Sequence, residues 1–304
     1  MPRIPDRFLR CSFYVYRSEQ SAKDGEMYGG SGFLVHVASE HEGWVHLYAV
    51  TNKHVLDGGF HVLRLNSRDG RPEIIPTSPD SWIHHPGGDD VAALSIQLDS
   101  ERIPWFSIGT DTFITHERAD KYCLGPGDET FLIGRLVTLE GYQKNTPVVR
   151  FGNISMLPDE PIWVAGHERE AFLVECRSLS GFSGSPVFVT PERVIDTPDI
   201  ALDHMAQDAE GDFIAPAAKK THGPFLLGID FAHMPLWKPV FEADKETRTD
   251  KWVDANTGIA CVVPAWRLLT LLEEDEELVQ RRKKDDEKIA LGKARSKVML
   301  DVKP

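Results

Sequence analysis

The feature that most constrains this chain is a long series of short β-type runs with no helical pattern between them. The runs are Cys11–Tyr16, Gly32–Val37, Trp44–Val50, Phe60–Leu65, Val91–Ile96, Thr130–Gly134, Val148–Ile154, Phe172–Cys176, Pro186–Val189, Phe225–Ile229 and Ile259–Val263. Each is rich in β-branched or aromatic residues and is bounded by Gly, Pro, Asp or Asn, which favours strands closed by tight turns. Many short strands separated by turns point to a barrel or sandwich. No stretch before Pro264 holds a 3.6-residue apolar period, so alternating βαβ units are excluded.

The chain has 304 residues, 41% of them hydrophobic, enough for one large domain or two small ones and not the composition of a disordered chain. Thirty-four Lys and Arg against 47 Asp and Glu give a net charge of −13, the wrong sign for a general nucleic-acid binder. No apolar run is long enough to span a bilayer, and the N-terminal segment lacks the apolar core of a secretory signal. The four cysteines, Cys11, Cys123, Cys176 and Cys261, have no C-x-x-C spacing. A zinc site is not expected, and scattered thiols fit a reducing compartment. The expected location is therefore the cytoplasm, with no cofactor, no metal, no membrane and no nucleic-acid partner.

A boundary is expected near Thr110–Gly127. Two segments rich in Pro, Asp, Lys and Thr, Thr190–Gly223 and His233–Thr257, read as inserted loops. From Pro264 the pattern turns helical, with Trp266, Leu269 and Leu272 on one stripe and a Glu277–Arg281 pair at favourable i,i+4 spacing. The run Arg281–Lys284, followed at once by Asp285–Glu287, reads first as a solvated helix surface and second as a docking element for a partner.

Three motifs carry chemistry. Gly181-Phe182-Ser183-Gly184-Ser185-Pro186 puts a serine between glycines at a turn between strands. Gly181 permits a backbone in which successive N–H groups converge, as a developing oxyanion requires. Upstream, Tyr48–Leu56 runs a strand into His54, and Asp89–Leu94 puts a carboxylate, Asp90, at the mouth of an apolar strand. A serine hydroxyl needs a base near neutrality. Histidine supplies one, and a buried carboxylate fixes its tautomer. Singly, the three read as a polar turn, a core histidine and a strand-entry aspartate. Together, in the order His, Asp, Ser and at strand edges, they favour nucleophilic catalysis.

These segments resemble the trypsin-like serine peptidases of the chymotrypsin fold, nearest the bacterial HtrA-type branch, over roughly residues 30–265. GGSGFLV (Gly29–Val35), AVTNKHV, DDVAAL, PGDETFLIG (Pro126–Gly134), VRFGNIS, GFSGSP, FLLGID and GIACVVPAWRLLTLL each resemble a segment of that family, in the family's order. The DDVAAL match selects Asp90 over Asp89. The resemblance implies an all-β fold of two packed six-stranded β-barrels with a C-terminal helix. Residues 8–115 would be the first barrel, carrying His54 and Asp90; 116–263 the second, carrying Ser183; and 264–304 a helical extension. It further implies Ser183 as nucleophile, His54 as general base, Asp90 as its orienter, and the backbone N–H groups of Gly181 and Ser183 as oxyanion hole.

The sequence departs from the family at several points. Phe182 replaces the usual Asp or Asn, so activation by pairing with a newly cut N-terminus is not expected. Ser185 replaces Gly. Too few residues follow Val263 for a PDZ domain. For specificity, Arg177 at the pocket base would favour an acidic side chain and Asp230 a basic one, with Phe231 beside it; whether these two charges set specificity or pair with each other stays open. His84 and His85 read as loop residues. The expected function is a regulated serine endopeptidase acting on protein or peptide, with an activating partner engaged through the C-terminal helix or inserted loops. The alternatives are a catalytically silent scaffold of the same fold and an esterase, the latter disfavoured because its triad order is Ser, Asp, His.

Overall fold

The computed structural model describes residues 3–26, 28–136, 144–176, 181–194, 219–221, 223–241 and 248–301. The first half contains β1 (Ser12–Tyr16), α1 (Glu19–Asp24), β2 (Tyr28–Ala38), β3 (Val45–Thr51), α2 (Lys53–Asp57), β4 (Val62–Asn66), β5 (Pro72–Pro76), β6 (Ile83–His84), β7 (Ala92–Ser95) and β8 (Ile108–Gly109). After α3 (His116–Lys121), the second half contains β9 (Glu129–Gly134), β10 (Val148–Met156), β11 (Ile162–Val164), β12 (His167–Arg169), β13 (Phe172–Glu175), β14 (Pro186–Thr190), β15 (Glu192–Val194), β16 (Lys219–Thr221), β17 (Phe225–Phe241) and β18 (Arg248–Pro264). Two helices close the chain, α4 (Ala265–Glu274) and α5 (Glu276–Asp301).

The all-β class with a C-terminal helix is what the sequence implies. The second half is a closed six-stranded barrel in the order β10-β13-β18-β17-β14-β9. The first half is an eight-stranded sheet ordered β5-β4-β1-β2-β3-β7-β6, with β8 paired to β2. Its extra strands are short or proline-bounded, so they lacked the apolar runs that marked the others.

Strand alternation places the core. Successive side chains of a strand point to opposite faces. In β2, Leu34 enters the core of the first half while Phe33 and Val35 enter a core shared with the second. In β9, Leu132 enters the barrel interior while Phe131 and Ile133 enter the shared core. Strands buried on both faces therefore read as continuous apolar runs. The 3-10 turn Asp6–Cys11 inserts Phe8 into the shared core, its ring 5.4 Å from Phe188 and 6.3 Å from Phe131. Burying one such ring contributes roughly 1.5–3 kcal/mol.

Helices α4 and α5 cap this shared core with Leu268, Leu271, Leu272 and Leu278. The expected stripe is thus rotated: Leu272 lies on it, whereas Trp266 and Leu269 sit at its half-buried margins. The break at Asp275 has a local cause, because its carboxylate accepts the Leu278 N–H at 3.0 Å and caps α5. Arg281 contacts Glu277 as the spacing predicts. Beyond the cap, α5 packs on this chain's own first half: Arg282 Nη1 donates to Tyr48 Oη at 3.0 Å, and Asp286 meets His46 Nε2 at 3.1 Å.

The described residues of the segment His233–Thr257, 233–241 and 248–257, are strand and not loop. Its described ends belong to β17 and β18, which run on past the barrel as a two-stranded arm and stay paired from Pro235↔Asn256 to Phe241↔Arg248, with a register shift after Pro239. Prolines disguised it in the sequence. They fall at register shifts, beside His233 and next to Phe241, where a missing N–H is tolerated. Most of Thr190–Gly223 lies outside the described residues, apart from the β15–β16 pair. Among the described residues no helix is long and apolar enough to cross a membrane.

Candidate active site

His54 lies in α2, a short helix entered directly from β3. Between them stands Asn52, the residue before α2, whose buried amide donates to the Asp90 carbonyl at 2.7 Å and ties α2 to the segment that enters β7. Asp90 then meets His54 twice. Its Oδ2 lies 2.6 Å from Nδ1, and its Oδ1 accepts the His54 backbone N–H at 2.9 Å. Two contacts on one carboxylate fix both the ring and the residue that carries it.

Asp90 is 7% exposed, whereas the His54 side chain is 48% exposed and opens to the cleft. Burial alone would push the Asp90 carboxyl up. The hydrogen bonds and charge of His54, with the Arg169 guanidinium, outweigh it and hold Asp90 below the usual carboxylate value. An ionised carboxylate only accepts hydrogen bonds, so it favours the imidazole tautomer that carries its proton on Nδ1.

Ser183 sits in the turn between β13 and β14 and is half-buried. Gly184 follows in the left-handed region, φ +85°, with no room for a side chain: a Cβ there would come within 2.1 Å of the Ser31 carbonyl. Ser31 of β2 is a polar contact point between the halves. Its N–H donates to the Ser183 carbonyl at 2.8 Å and its Oγ to the Gly181 carbonyl at 2.8 Å. Gly181 has φ +96°, the freedom expected for it.

The two departures from the family pattern both have a structural place. Phe182 is fully buried in the barrel core, with the Arg150 guanidinium 5.2 Å over its ring, so it anchors the turn by packing instead of by charge. Ser185 keeps negative φ, and its side chain stands against Gly134, where an added Cβ would meet the Ser185 Oγ at 2.0 Å.

The cleft divides into two hollows sharing Ala165 and Phe231 as a common wall. One, of about 410 Å³, holds His54 and Asp90 with Lys53, His167 and Arg169. The other, of about 520 Å³, holds Ser183 with Trp163, His233, Trp237 and Asp254. No hydrogen bond joins Ser183 Oγ to the imidazole among the described residues; such bonds commonly close only when substrate is bound. The hairpin β11–β12 supplies Ala165 of the dividing wall from its turn, where Ala165 and Gly166 are both in the left-handed region with φ +50° and +82°.

Of the predicted pocket residues, Phe231 lines both hollows. Asp230 lines neither. It is fully buried, and its cross-strand partner is Val262 of the barrel core, which places it on the barrel side of β17. Alternation along β17 puts Phe231 outward and Asp230 inward. Its backbone still serves the site, since Gly184 N–H donates to the Asp230 carbonyl at 2.8 Å and Asp230 N–H to the Ser185 carbonyl at 2.9 Å. Arg177 lies outside the described residues.

Sequence reasoning missed Asn52, Ser31 and Arg169. The first two lie inside motifs that it quoted, where only the neighbouring residue drew notice. Arg169 has no sequence signal. His84 ends β6, and His85 Nδ1 lies 3.2 Å from Asp89. Asp89 also meets Arg267 Nε of α4 at 3.5 Å, while Arg267 Nη2 meets Glu170 at 2.5 Å. Helix α4 is thereby tied to the loop that carries Asp90. Among the described residues no group of three or more His, Cys, Asp or Glu is placed to hold a metal ion.

The family model described as "Trypsin-like peptidase domain" matches residues 30–195. Among solved structures, the MamO protease domain from Magnetospirillum magneticum in its apo form is similar at 16% identity and TM-score 0.49, covering 88% of this chain and 98% of that one. The HtrA-type protease AlgW, solved with a decapeptide, is similar at 16% identity and TM-score 0.42, covering 88% and 65%. Rv3671c from M. tuberculosis H37Rv, in an inactive form, is similar at 14% identity and TM-score 0.43, covering 88% and 86%. No curated protein matches the chain.

Proposed function

Because the chain belongs to the trypsin-like peptidase domain family, we propose that it is a serine endopeptidase acting through Ser183, His54 and Asp90. The observation that carries this reading is the doubly held His54–Asp90 pair, at 2.6 and 2.9 Å, beside a serine on a glycine-flanked turn.

In this reading His54 Nε2 takes the Ser183 hydroxyl proton as Oγ adds to the peptide carbonyl. Asp90 stabilises the resulting imidazolium and remains ionised. The oxyanion is held by the N–H groups of Gly181 and Ser183. As the C–N bond breaks, His54 returns the proton to the leaving amine and Ser183 is left acylated. Water then adds, giving its proton to His54, and the acid product leaves as Ser183 recovers its hydrogen.

The test is intact-mass analysis after treatment with a fluorophosphonate. A single adduct on the wild type, absent from Ser183→Ala, is the expected result. A wild type that stays unlabelled both alone and after candidate activators are added would count for the silent scaffold.

The reading extends to a regulated protease of the cytoplasm. The wall set between the His54 and Ser183 hollows supports regulation, and four free cysteines, three of them buried, support a reducing compartment. Turnover of unfolded protein by the purified chain alone at about 1–10³ s⁻¹, the ordinary enzyme range, would remove the case for an activator. Fractionation of expressing cells tests the location.

A further inference from the structure

The hollow beside Ser183 has walls that the peptidase chemistry does not use. Trp163 stands on the β11–β12 hairpin and is 70% exposed; Trp237 stands on the β17–β18 arm and is 60% exposed. Both line the hollow, together with Pro235, His233 and Asp254. Trp237 and Asp254 are direct cross-strand partners, so their side chains stand side by side on one face of the arm.

The position of this hollow identifies which half of a substrate it meets. His54 protonates the leaving amine, so the amine half must lie on the His54 side. Ser183 keeps the acyl half, and its hollow does not include His54. The arm therefore flanks the acyl half of the peptide.

The chemistry of the walls selects a cation. Indole faces attract a guanidinium or ammonium through the ring quadrupole. An apolar side chain would cover Asp254 and strip water from a carboxylate without replacing its hydrogen bonds, which is unfavourable. A cation would instead supply a donor. Asp254 Oδ2 has His233 Nε2 at 3.2 Å and, as a carboxylate, accepts further donors. The arm already shows the same pairing of groups two residues along the same face, where the Arg248 guanidinium lies 4.6 Å from the Trp252 ring centre.

We propose that Trp163, Trp237 and Asp254 form a subsite for an arginine or lysine side chain on the acyl half of the substrate. The subsite rests on the serine-endopeptidase reading for its purpose, but its binding is measurable without catalysis.

The test uses full-length Ser183→Ala and a positional-scanning peptide library, with affinities read from tryptophan fluorescence. At one position, arginine and lysine should bind at least tenfold more tightly than citrulline, phenylalanine or glutamate. Asp254→Asn and Trp237→Ala, each in the Ser183→Ala background, should lose that preference. Val253→Ser, on the opposite face of the arm, should keep it. Equal binding of arginine and citrulline at every position, or a cation preference that survives both Asp254→Asn and Trp237→Ala, would overturn the subsite. Failure of the wild type to label with fluorophosphonate would overturn the catalytic reading instead, and the two results are scored separately.

Discussion

Ser31 and Gly181, 150 residues apart in sequence, are joined by a 2.8 Å hydrogen bond from the Ser31 hydroxyl to the Gly181 carbonyl. The same hydroxyl accepts the Arg135 N–H at 3.0 Å, and the Ser31 N–H holds the Ser183 carbonyl. One fully buried residue of the first half thus grips both sides of the Ser183 turn in the second.

Ser31→Ala leaves a buried carbonyl and a buried N–H without their partner, a cost of about 1–3 kcal/mol. The turn should loosen at the oxyanion hole and nowhere else in the cleft. Losing an oxyanion donor outright costs roughly 10²–10³ in kcat, so loosening one should cost about tenfold. We expect that fall in kcat and in fluorophosphonate labelling rate, with KM little changed. A labelling rate equal to wild type would refute the role given to Ser31.

Asp90 should matter in two measurable ways. Asp90→Asn puts the wrong hydrogen-bonding group against Nδ1, and kcat should fall by about 10⁴ while the fold survives. The stability effect depends on pH. Asp90 titrates below the ordinary carboxylate value of about 3.9, so its ionised form stabilises the folded chain. That contribution is complete above the unfolded value and is lost as pH falls through the lower folded one. The difference in Tm between wild type and Asp90→Asn should therefore be flat near neutrality and shrink below about pH 4. A difference that grows on acidification would contradict the assignment.

The sequence made the long strands and the three site residues legible because their signals are local. A β-branched run bounded by glycine announces a strand wherever it folds, and His54, Asp90 and Ser183 each sit in a short motif. What stayed hidden depends on distance. Ser31 looks like one more small residue of a strand until Gly181 arrives beside it. Arg169 bears on Asp90 only because β12 folds over the cleft, and Asp230 faces inward because of one step of strand alternation. The arm was read as a loop because Pro235 and Pro239 usually exclude strands, and only the register shifts around them show how the two strands stay paired.

Arg267 should couple helix α4 to the His54–Asp90 pair. It bridges Asp89, next to Asp90, and Glu170, next to Arg169. Its side chain is 38% exposed, so solvent screens the bridge and the loss on Arg267→Met should be only about 1 kcal/mol. For a chain of this size that corresponds to a Tm drop of roughly 2 °C. Because both neighbours flank the His54 hollow, kcat should fall severalfold as well. A Tm drop with unchanged kcat would make Arg267 a purely structural tie.

Helix α5 should come away from the first half when Asp286 loses its charge. Ser39 Oγ donates to the Asp286 carboxylate, His46 Nε2 lies 3.1 Å from it, and His41 Nε2 meets the Asp286 carbonyl at 2.9 Å. Burial would raise the Asp286 carboxyl, but the Ser39 hydrogen bond and the neighbouring His46 hold it below the ordinary value. Docking is fully favoured above the unfolded carboxylate value, about 3.9, and weakens as pH falls through the lower folded value. Amide hydrogen exchange across Glu276–Asp286 should therefore be slow at pH 7 in the wild type and faster at that pH in Asp286→Asn. On acidification below about pH 4, once intrinsic exchange rates are corrected for, wild-type protection should fall toward that of the variant. Equal protection of the two proteins at pH 7 would mean that Leu278 and the shared core alone hold the helix, and that Asp286 adds nothing to its docking.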